Sequence, residues 1–323
     1  MLVIVEKPLI ARALHSQLSN QFPGEQIRYL LANQFGWPFV FDYPSHLSWH
    51  DYPCWLDARY RLGGNQWQMT RATEQWVREP VHYAALDAQP VLAVADAGRS
   101  SLLSAERLLR HLQAQGKVTT FRGYHVLNSL AESDIDKSFR EPVDATVVHA
   151  ACVAAQLKAD FEFSFLVNAA GLLTRAYHAA GGTESNPVFS KYTVLTLYAL
   201  RNAGPTIEGE LVGAMSRWKG TGRYTEVRAT LGSAASRAEL VESLKHLGLA
   251  SSAPTANDTD KTVLSLSARG EAFLTKLHPD CEDPDLPFRI EQWLASPDTG
   301  RAAAQRYIRT WFGKQKRYMT RWP

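Results

Sequence analysis

Two acidic residues stand where parallel strands would bring them together. Glu6 and Asp96 each follow a short apolar run, LVIV and VLAVA, and Lys7 and Arg99 lie close behind them in the chain. Because the carboxyl ends of parallel strands share one edge of a sheet, these charges can converge there on a ligand. Mg²⁺ is held by several oxygen ligands, so two carboxylates predict at most a weak metal site at Glu6 and Asp96.

The apolar periodicity predicts the elements that would position these charges. A helix with proline in its first turn is expected at Pro8–Leu18. Strands are expected at Leu2–Val5, Ile27–Ala32, Val91–Ala95 and Val118–Phe121. Strands that alternate with helices favour an α/β domain with a parallel sheet, which we place at residues 1–145. The pattern then becomes mainly helical, so residues 146–323 are expected to form a second domain.

Composition bounds the class of protein. The 323 residues are 45% hydrophobic, enough to bury the cores of two domains. No uninterrupted apolar run reaches about 18 residues, so no membrane partner is expected. Charged residues inside the first apolar run argue against a signal peptide. The three cysteines are widely separated and form no CxxC pair, which fits a reducing compartment and predicts a cytoplasmic protein.

The segments around both acids resemble one family. LVIVEKPLIARAL is similar to the opening of type IA DNA topoisomerases, closest to the topoisomerase III branch, whose first strand ends in a Glu-Lys-Pro-Ser-type signature. ADAGRSSLLSAERLL aligns without a gap with the Asp-x-Asp-Arg-Glu-Gly motif of that family, which forms the metal site of the Toprim fold. Asp96 and Arg99 match, whereas Gly98 and Ser100 replace the second and third acids. The resemblance implies a Toprim-like domain with a depleted Mg²⁺ site.

Later segments resemble the helical, DNA-binding scaffold of the same family, in the same order. LKADFEFSFLVNAAGLLTRAY is similar to its Arg-Ala-Asp-Trp and Thr-Arg-Ala-Tyr helices, and VFSKYTVLTL lies where it has Gly-Arg-Val-Gln-Thr-Pro. LGSAASRAELVESLKHLGL resembles the segment that closes the central hole. The resemblance implies DNA-backbone contacts from Arg175, Lys191 and Arg237; ordinary surface charge is the alternative interpretation.

The arch domains of the family have no counterpart in the sequence. Only about 30 residues separate the motif at Lys191 from the helix at Arg237, too few for one domain. The family's nucleophilic tyrosine motif does not occur in the chain. The nearest candidate is Tyr224, beside Arg223 and Arg228, whose charges would lower a phenol pKa. The alternative is a strand-like segment with a half-buried tyrosine.

The segment 301–323 is strongly basic. It carries seven Lys or Arg and no Asp or Glu, and aromatic residues are interleaved with them. Cations with aromatic rings suit a surface that neutralises phosphates and stacks bases, so Lys314, Lys316 and Arg317 are predicted to contact nucleic acid. The alternative is a helix whose aromatic residues pack on the core while its cations are solvated.

These observations favour a degenerate, truncated relative of topoisomerase III that binds DNA, single-stranded by preference, without catalysis. Its basic groove would contain Lys7, Arg99, Arg175, Lys191, Arg237 and the basic segment 301–323. No cofactor is expected, and Mg²⁺ would bind weakly. Because acids have been lost while cations remain, the groove would attract phosphate more strongly.

Two other functions remain open. A metal-dependent nicking enzyme would use Glu6 and Asp96 with help from Asp87 or Glu106, or would cleave through Tyr224 or Tyr192. An adaptor would bind a topoisomerase, a helicase or a mobile-element complex through the aromatic segment 35–60, with Trp37, Trp49 and Trp55 exposed.

Overall fold

The chain folds into two compact units. The computed structural model describes residues 1–32, 38–255 and 258–322. The first unit comprises Met1–Tyr43 and Arg59–Gln156, and the second comprises Pro44–Ala58 and Leu157–Pro323. The mixed α/β class expected from the sequence is confirmed. The Toprim-like detail and the domain bounds at 1–145 and 146–323 stay predictions.

A six-stranded sheet forms the centre of the first unit. Its strands in spatial order are β6 (Gln75–Pro80), β5 (Trp67–Ala72), β2 (Arg28–Leu31), β1 (Leu2–Val5), β7 (Gln89–Asp96) and β8 (Val118–Leu127). The four strands from β2 to β8 are parallel, and β5 and β6 extend the sheet as an antiparallel hairpin. A separate antiparallel pair is formed by β3 (Phe39–Phe41) and β4 (Tyr60–Leu62).

Helices on both faces of this sheet explain why its central strands are apolar throughout. The first unit contains α1 (Pro8–Gln21), α2 (Arg99–Ala114), α3 (Glu132–Arg140) and the first turns of α4 (Ala145–Ala179). Leu2 and Ile4 lie in one core cluster with Leu108 of α2, whereas Val3 lies in another with Leu14 of α1. Alternate strand residues therefore bury opposite faces, as in other sheets covered on both sides.

The second unit is mostly helical. It contains the rest of α4 and α5 (Lys191–Ala203), α6 (Glu208–Ser216), α7 (Ala234–His246), α8 (Ala268–Thr275), α9 (Leu286–Ala295) and α10 (Pro297–Met319). Its strands form two small sheets, one of β12 (Ala250–Thr255), β13 (Asp258–Leu266) and β9 (Thr206–Ile207), and one of β10 (Trp218–Lys219) and β11 (Arg228–Ala229). Trp311 and Phe312 of α10 are buried, which matches the alternative interpretation of the basic segment 301–323.

Side chains of α4 hold the segment 54–58 along the helix. Asn168 accepts a hydrogen bond from the Cys54 amide (2.9 Å) and donates one to its carbonyl (2.7 Å). Ser164 does the same for Leu56, at 2.9 Å in both directions. Four helical residues rise about 6 Å, and two extended residues span about 6.6 Å. These two lengths are nearly equal, so side chains four residues apart on α4 bind every second residue of the segment.

The ladder continues at a buried carboxylate. Asp160 accepts a hydrogen bond from the Ala58 amide at 2.8 Å, and its side chain is only 1% exposed. Arg301 of α10 donates to Asp160 at 2.6 Å and to Asp57 at 2.9 Å. Asp160 therefore has a structural role, since it joins the segment 54–58 to α4 and α10.

No helix among the described residues combines the length and the apolar composition that crossing a bilayer requires.

Candidate nucleic-acid interface

The sheet of the first unit brings Glu6 and Asp96 together, as expected. Val5 of β1 pairs with Val94 of β7, so Glu6 leaves its strand next to the end of β7 at Asp96. The Glu6 side chain is 9% exposed, and its Oε1 lies 3.2 Å from the Lys7 ammonium. Asp96 Oδ1 accepts a hydrogen bond from the Gly98 amide at 2.8 Å. These contacts form the sheet-edge site, comprising Glu6, Lys7, Asp96 and Arg99.

The carboxyl group of Asp96 holds its proton more tightly than it would in water. Burial, the hydrogen bond to Glu6 and the negative charge of Glu6 all raise the pKa of Asp96. Lys7 and the Gly98 amide act in the opposite direction without cancelling the shift. A pair that retains a proton is a poorer magnesium ligand than two full carboxylates.

The surroundings of Asp96 do not fit the metal site that the family resemblance implies. In the described part of the chain, no group of three His, Cys, Asp or Glu side chains is arranged to hold a metal ion. A Cβ atom at Gly98 would lie 2.8 Å from Asp96 Oδ1, so restoring an acid there would displace the hydrogen bond of Asp96.

The proposed helper acids lie elsewhere. Asp87 precedes β7 and Asp96 ends it, so the length of this strand, about 23 Å at 3.3 Å per residue, lies between them. Glu106 lies in the third turn of α2, where its carboxylate binds the Arg110 guanidinium and the Tyr124 hydroxyl. Neither acid completes a cluster with Glu6 and Asp96, which corrects that expectation.

Exposed cations flank the carboxyl pair. Lys7 keeps 51% of its side chain exposed. Arg99 is exposed at the first residue of α2, where the helix dipole also favours an anion. The outward-facing charges of the sheet-edge site are therefore positive.

Arg175 and Lys316 meet at Trp49 in the second unit. The Arg175 guanidinium lies 4.6 Å from the Trp49 ring centroid, and the Lys316 ammonium lies 5.1 Å from it. Lys316 also donates hydrogen bonds to the carbonyls of Trp49 (2.7 Å) and Tyr52 (2.6 Å). Lys316 thus holds the segment 49–52 in place, whereas Arg175 is exposed.

Lys191 is buried. Its side chain is 4% exposed, and its ammonium lies 2.6 Å from Glu162 Oε1. Although burial opposes ionisation of both groups, their attraction keeps the pKa of Glu162 low and that of Lys191 high. A DNA contact through Lys191 stays a prediction, and the structure shows this ammonium already engaged inside the second unit.

The remaining predicted cations are dispersed over the second unit. Arg237 of α7 donates to the Gly232 carbonyl at 2.8 Å, and Lys314 forms an ion pair with Asp280. Arg317 is exposed near the end of α10. Their predicted contacts with nucleic acid stay predictions.

The aromatic residues singled out in the sequence are less exposed than expected. Trp49 and Trp55 are half-buried, and Trp37 lies outside the described residues. Tyr224 is 5% exposed and stacks on Phe288, with ring centroids 5.1 Å apart. Its hydroxyl lies 2.7 Å from Gln292 Oε1. Tyr224 ends a short 3₁₀ helix, not a strand, and is placed as a packing residue.

A basic cleft in the second unit was not predicted as a site. It consists of two open cavities of about 530 Å³ each, and Arg228 lines both. The other cations of this basic cleft are Lys158 in one cavity and Arg217 and Lys219 in the other. The signal in the sequence is RWKGTGRYTEVR, which places four cations in twelve residues around Tyr224.

Comparison with known proteins gives a weak structural likeness. No protein-family model matches the chain, and no curated protein matches it. The structure of full-length topoisomerase I from Thermotoga maritima is similar to it at a TM-score of 0.37 and 13% sequence identity. The match covers 62% of this chain and 30% of that chain. Similarity at this level establishes neither family nor activity.

Proposed function

We propose that the protein binds single-stranded DNA without cleaving it. The observation that carries the proposal is the sheet-edge site, where Asp96 is held against Glu6 with a raised pKa while the side chains of Lys7 and Arg99 are exposed. In a metal-dependent nuclease the acids of this edge would need to bind Mg²⁺. Here the edge offers cations, which bind phosphate directly.

The charge of this edge agrees with a role in binding. A lysine and an arginine can neutralise two backbone phosphates. Arg175, exposed on the second unit, is the next candidate contact. The single-stranded preference is taken from the resemblance to the topoisomerase scaffold.

The proposal is tested by fluorescence anisotropy of a labelled single-stranded oligonucleotide at several salt concentrations. Replacing Lys7 and Arg99 together by Ala should weaken binding and flatten the plot of log affinity against log salt by roughly 1.4, at about 0.7 per lost phosphate contact. Lys117→Ala is the matched control, because Lys117 lies before β8 at the opposite edge of the sheet. An unchanged slope in the double variant would exclude the sheet-edge site.

The non-catalytic part needs its own assay. Supercoiled plasmid incubated with the protein and Mg²⁺ should stay uncut, and DNA affinity should not depend on Mg²⁺. Nicking that is lost in Asp96→Ala would establish the enzyme instead, since that carboxyl is the central acid of the site.

A further inference from the structure

The basic cleft contains a pair of like charges that the fold places side by side. β10 and β11 form a two-stranded antiparallel ladder in which Lys219 lies directly opposite Arg228. Like charges at opposed positions of a ladder destabilise it. In the part of the chain that the structure describes, neither residue, nor the adjacent Arg217, forms an ion pair with a carboxylate. Repulsion between these cations destabilises the free protein, and a bound anion between them would relieve it.

The ladder is held in place by contacts that leave its cations outside. Trp218 donates its indole N–H to the Pro284 carbonyl at 2.8 Å. Thr221 donates through its amide (2.6 Å) and its hydroxyl (3.0 Å) to the carboxylate of Asp285. Gly220 packs so closely that a Cβ would lie 2.8 Å from Phe288. Lys219 is therefore carried on a preformed strand, which reduces the entropy lost on binding.

The cavity on the other side of Arg228 differs in character. Its wall includes Val227, Ile290 and the ring of Tyr192, with Thr230 and Gln292 as uncharged hydrogen-bonding groups and Lys158 and Glu291 as charged ones. A volume of about 530 Å³ lies in the range of small-molecule sites, roughly 300–1,000 Å³. An apolar wall with a few polar groups next to a cluster of cations suits a ligand with a flat ring at one end and a phosphate at the other.

We propose that the basic cleft binds a nucleoside phosphate. The phosphate lies on the Lys219–Arg228 pair with Arg217, and the base occupies the cavity lined by Tyr192 and Val227. The ligand is either a free nucleotide or one unit of a single strand, since both present the same groups. Every residue involved belongs to the second unit, so this site stands apart from the sheet-edge site.

The experiment uses the full chain and isothermal calorimetry. The probes are deoxyadenosine 5′-monophosphate, a six-nucleotide single strand and inorganic phosphate. Lys219→Glu and Arg228→Glu should each weaken nucleotide or strand binding by roughly tenfold or more, because each turns an attractive contact into a repulsive one. Lys137→Glu is the control, as Lys137 is exposed on α3 and lines neither cavity. Thermal unfolding of each variant verifies that it is folded.

The outcomes separate the ligand sources and the two proposed sites. Binding of the mononucleotide that is lost in the Glu variants supports a free nucleotide, and binding of the strand alone with the same loss supports a strand unit. Inorganic phosphate bound as tightly as the nucleotide would overturn the assignment of a base site. Folded Glu variants with unchanged affinity would overturn the proposal. The Lys7 and Arg99 double variant should still bind at the basic cleft, whatever its effect on longer DNA.

Discussion

At the scale of single residues, the Glu6–Asp96 pair links site chemistry to stability. The pKa of Asp96 is raised above its ordinary value of 3.8 by burial and by Glu6. At pH values between the ordinary pKa of 3.8 and the raised pKa of the folded state, Asp96 therefore binds its proton more tightly in the folded protein than in the unfolded chain. The contribution of Asp96 to the free energy of unfolding then falls as pH rises through that window.

We expect Asp96→Asn to remove this contribution, because an amide can still accept the Gly98 hydrogen bond and needs no proton. The difference in free energy of unfolding, variant minus native protein, should be larger at pH 7 than at pH 4. Chemical unfolding across this range measures the difference. A gap between the two proteins that does not change with pH would show that the pair does not titrate abnormally.

Lys191 is the residue at which motif and structure point to different roles. With its ammonium 2.6 Å from Glu162 and its side chain 4% exposed, we expect Lys191→Met to lower the free energy of unfolding by about 1–3 kcal/mol. DNA affinity measured by anisotropy should be unchanged. Adding Glu162→Gln should restore part of the loss, since the uncompensated carboxylate is then removed. A large loss of affinity at unchanged stability would instead assign Lys191 to DNA.

At the scale of elements, the contact between α4 and the segment 54–58 depends on side-chain spacing. We expect Ser164→Ala and Asn168→Ala each to destabilise the protein by about 1–3 kcal/mol, because each removes two hydrogen bonds to part-buried backbone groups of the segment. Limited proteolysis should then cut first between residues 44 and 58. The control is Val153→Ala, at a 38% exposed position of the same helix. Equal effects in all three variants would contradict a specific role for the ladder.

Helices and strands with a strong apolar periodicity were predictable. Strands that continue past a glycine, or that are almost entirely exposed, were not. Leu2–Val5 forms β1 as expected, and the helix predicted at Pro8–Leu18 extends to Gln21. β8 continues beyond the predicted Phe121 to Leu127, past Gly123 at a φ of 110°. The hairpin of β5 and β6 was missed because its outer strand is almost entirely exposed, so it carries little apolar signal.

At the scale of the whole molecule, the chain enters the second unit twice. Residues 44–58 belong to it although the residues on both sides belong to the first unit. A single domain boundary in the sequence cannot describe this arrangement. Composition shows that the segment is irregular, but it does not show which helix the segment packs against. The two proposed binding sites are likewise divided, with one in each unit.

The sequence by itself determined the α/β class and the convergence of Glu6 and Asp96. Each of these follows from local periodicity or from residue identity at a strand end. Only the tertiary structure decided which cations face solvent. Burial and pairing depend on neighbours far away in the chain, as Lys191 with Glu162 shows. The basic cleft has the same origin, because the ladder that opposes Lys219 to Arg228 forms only when the second unit folds.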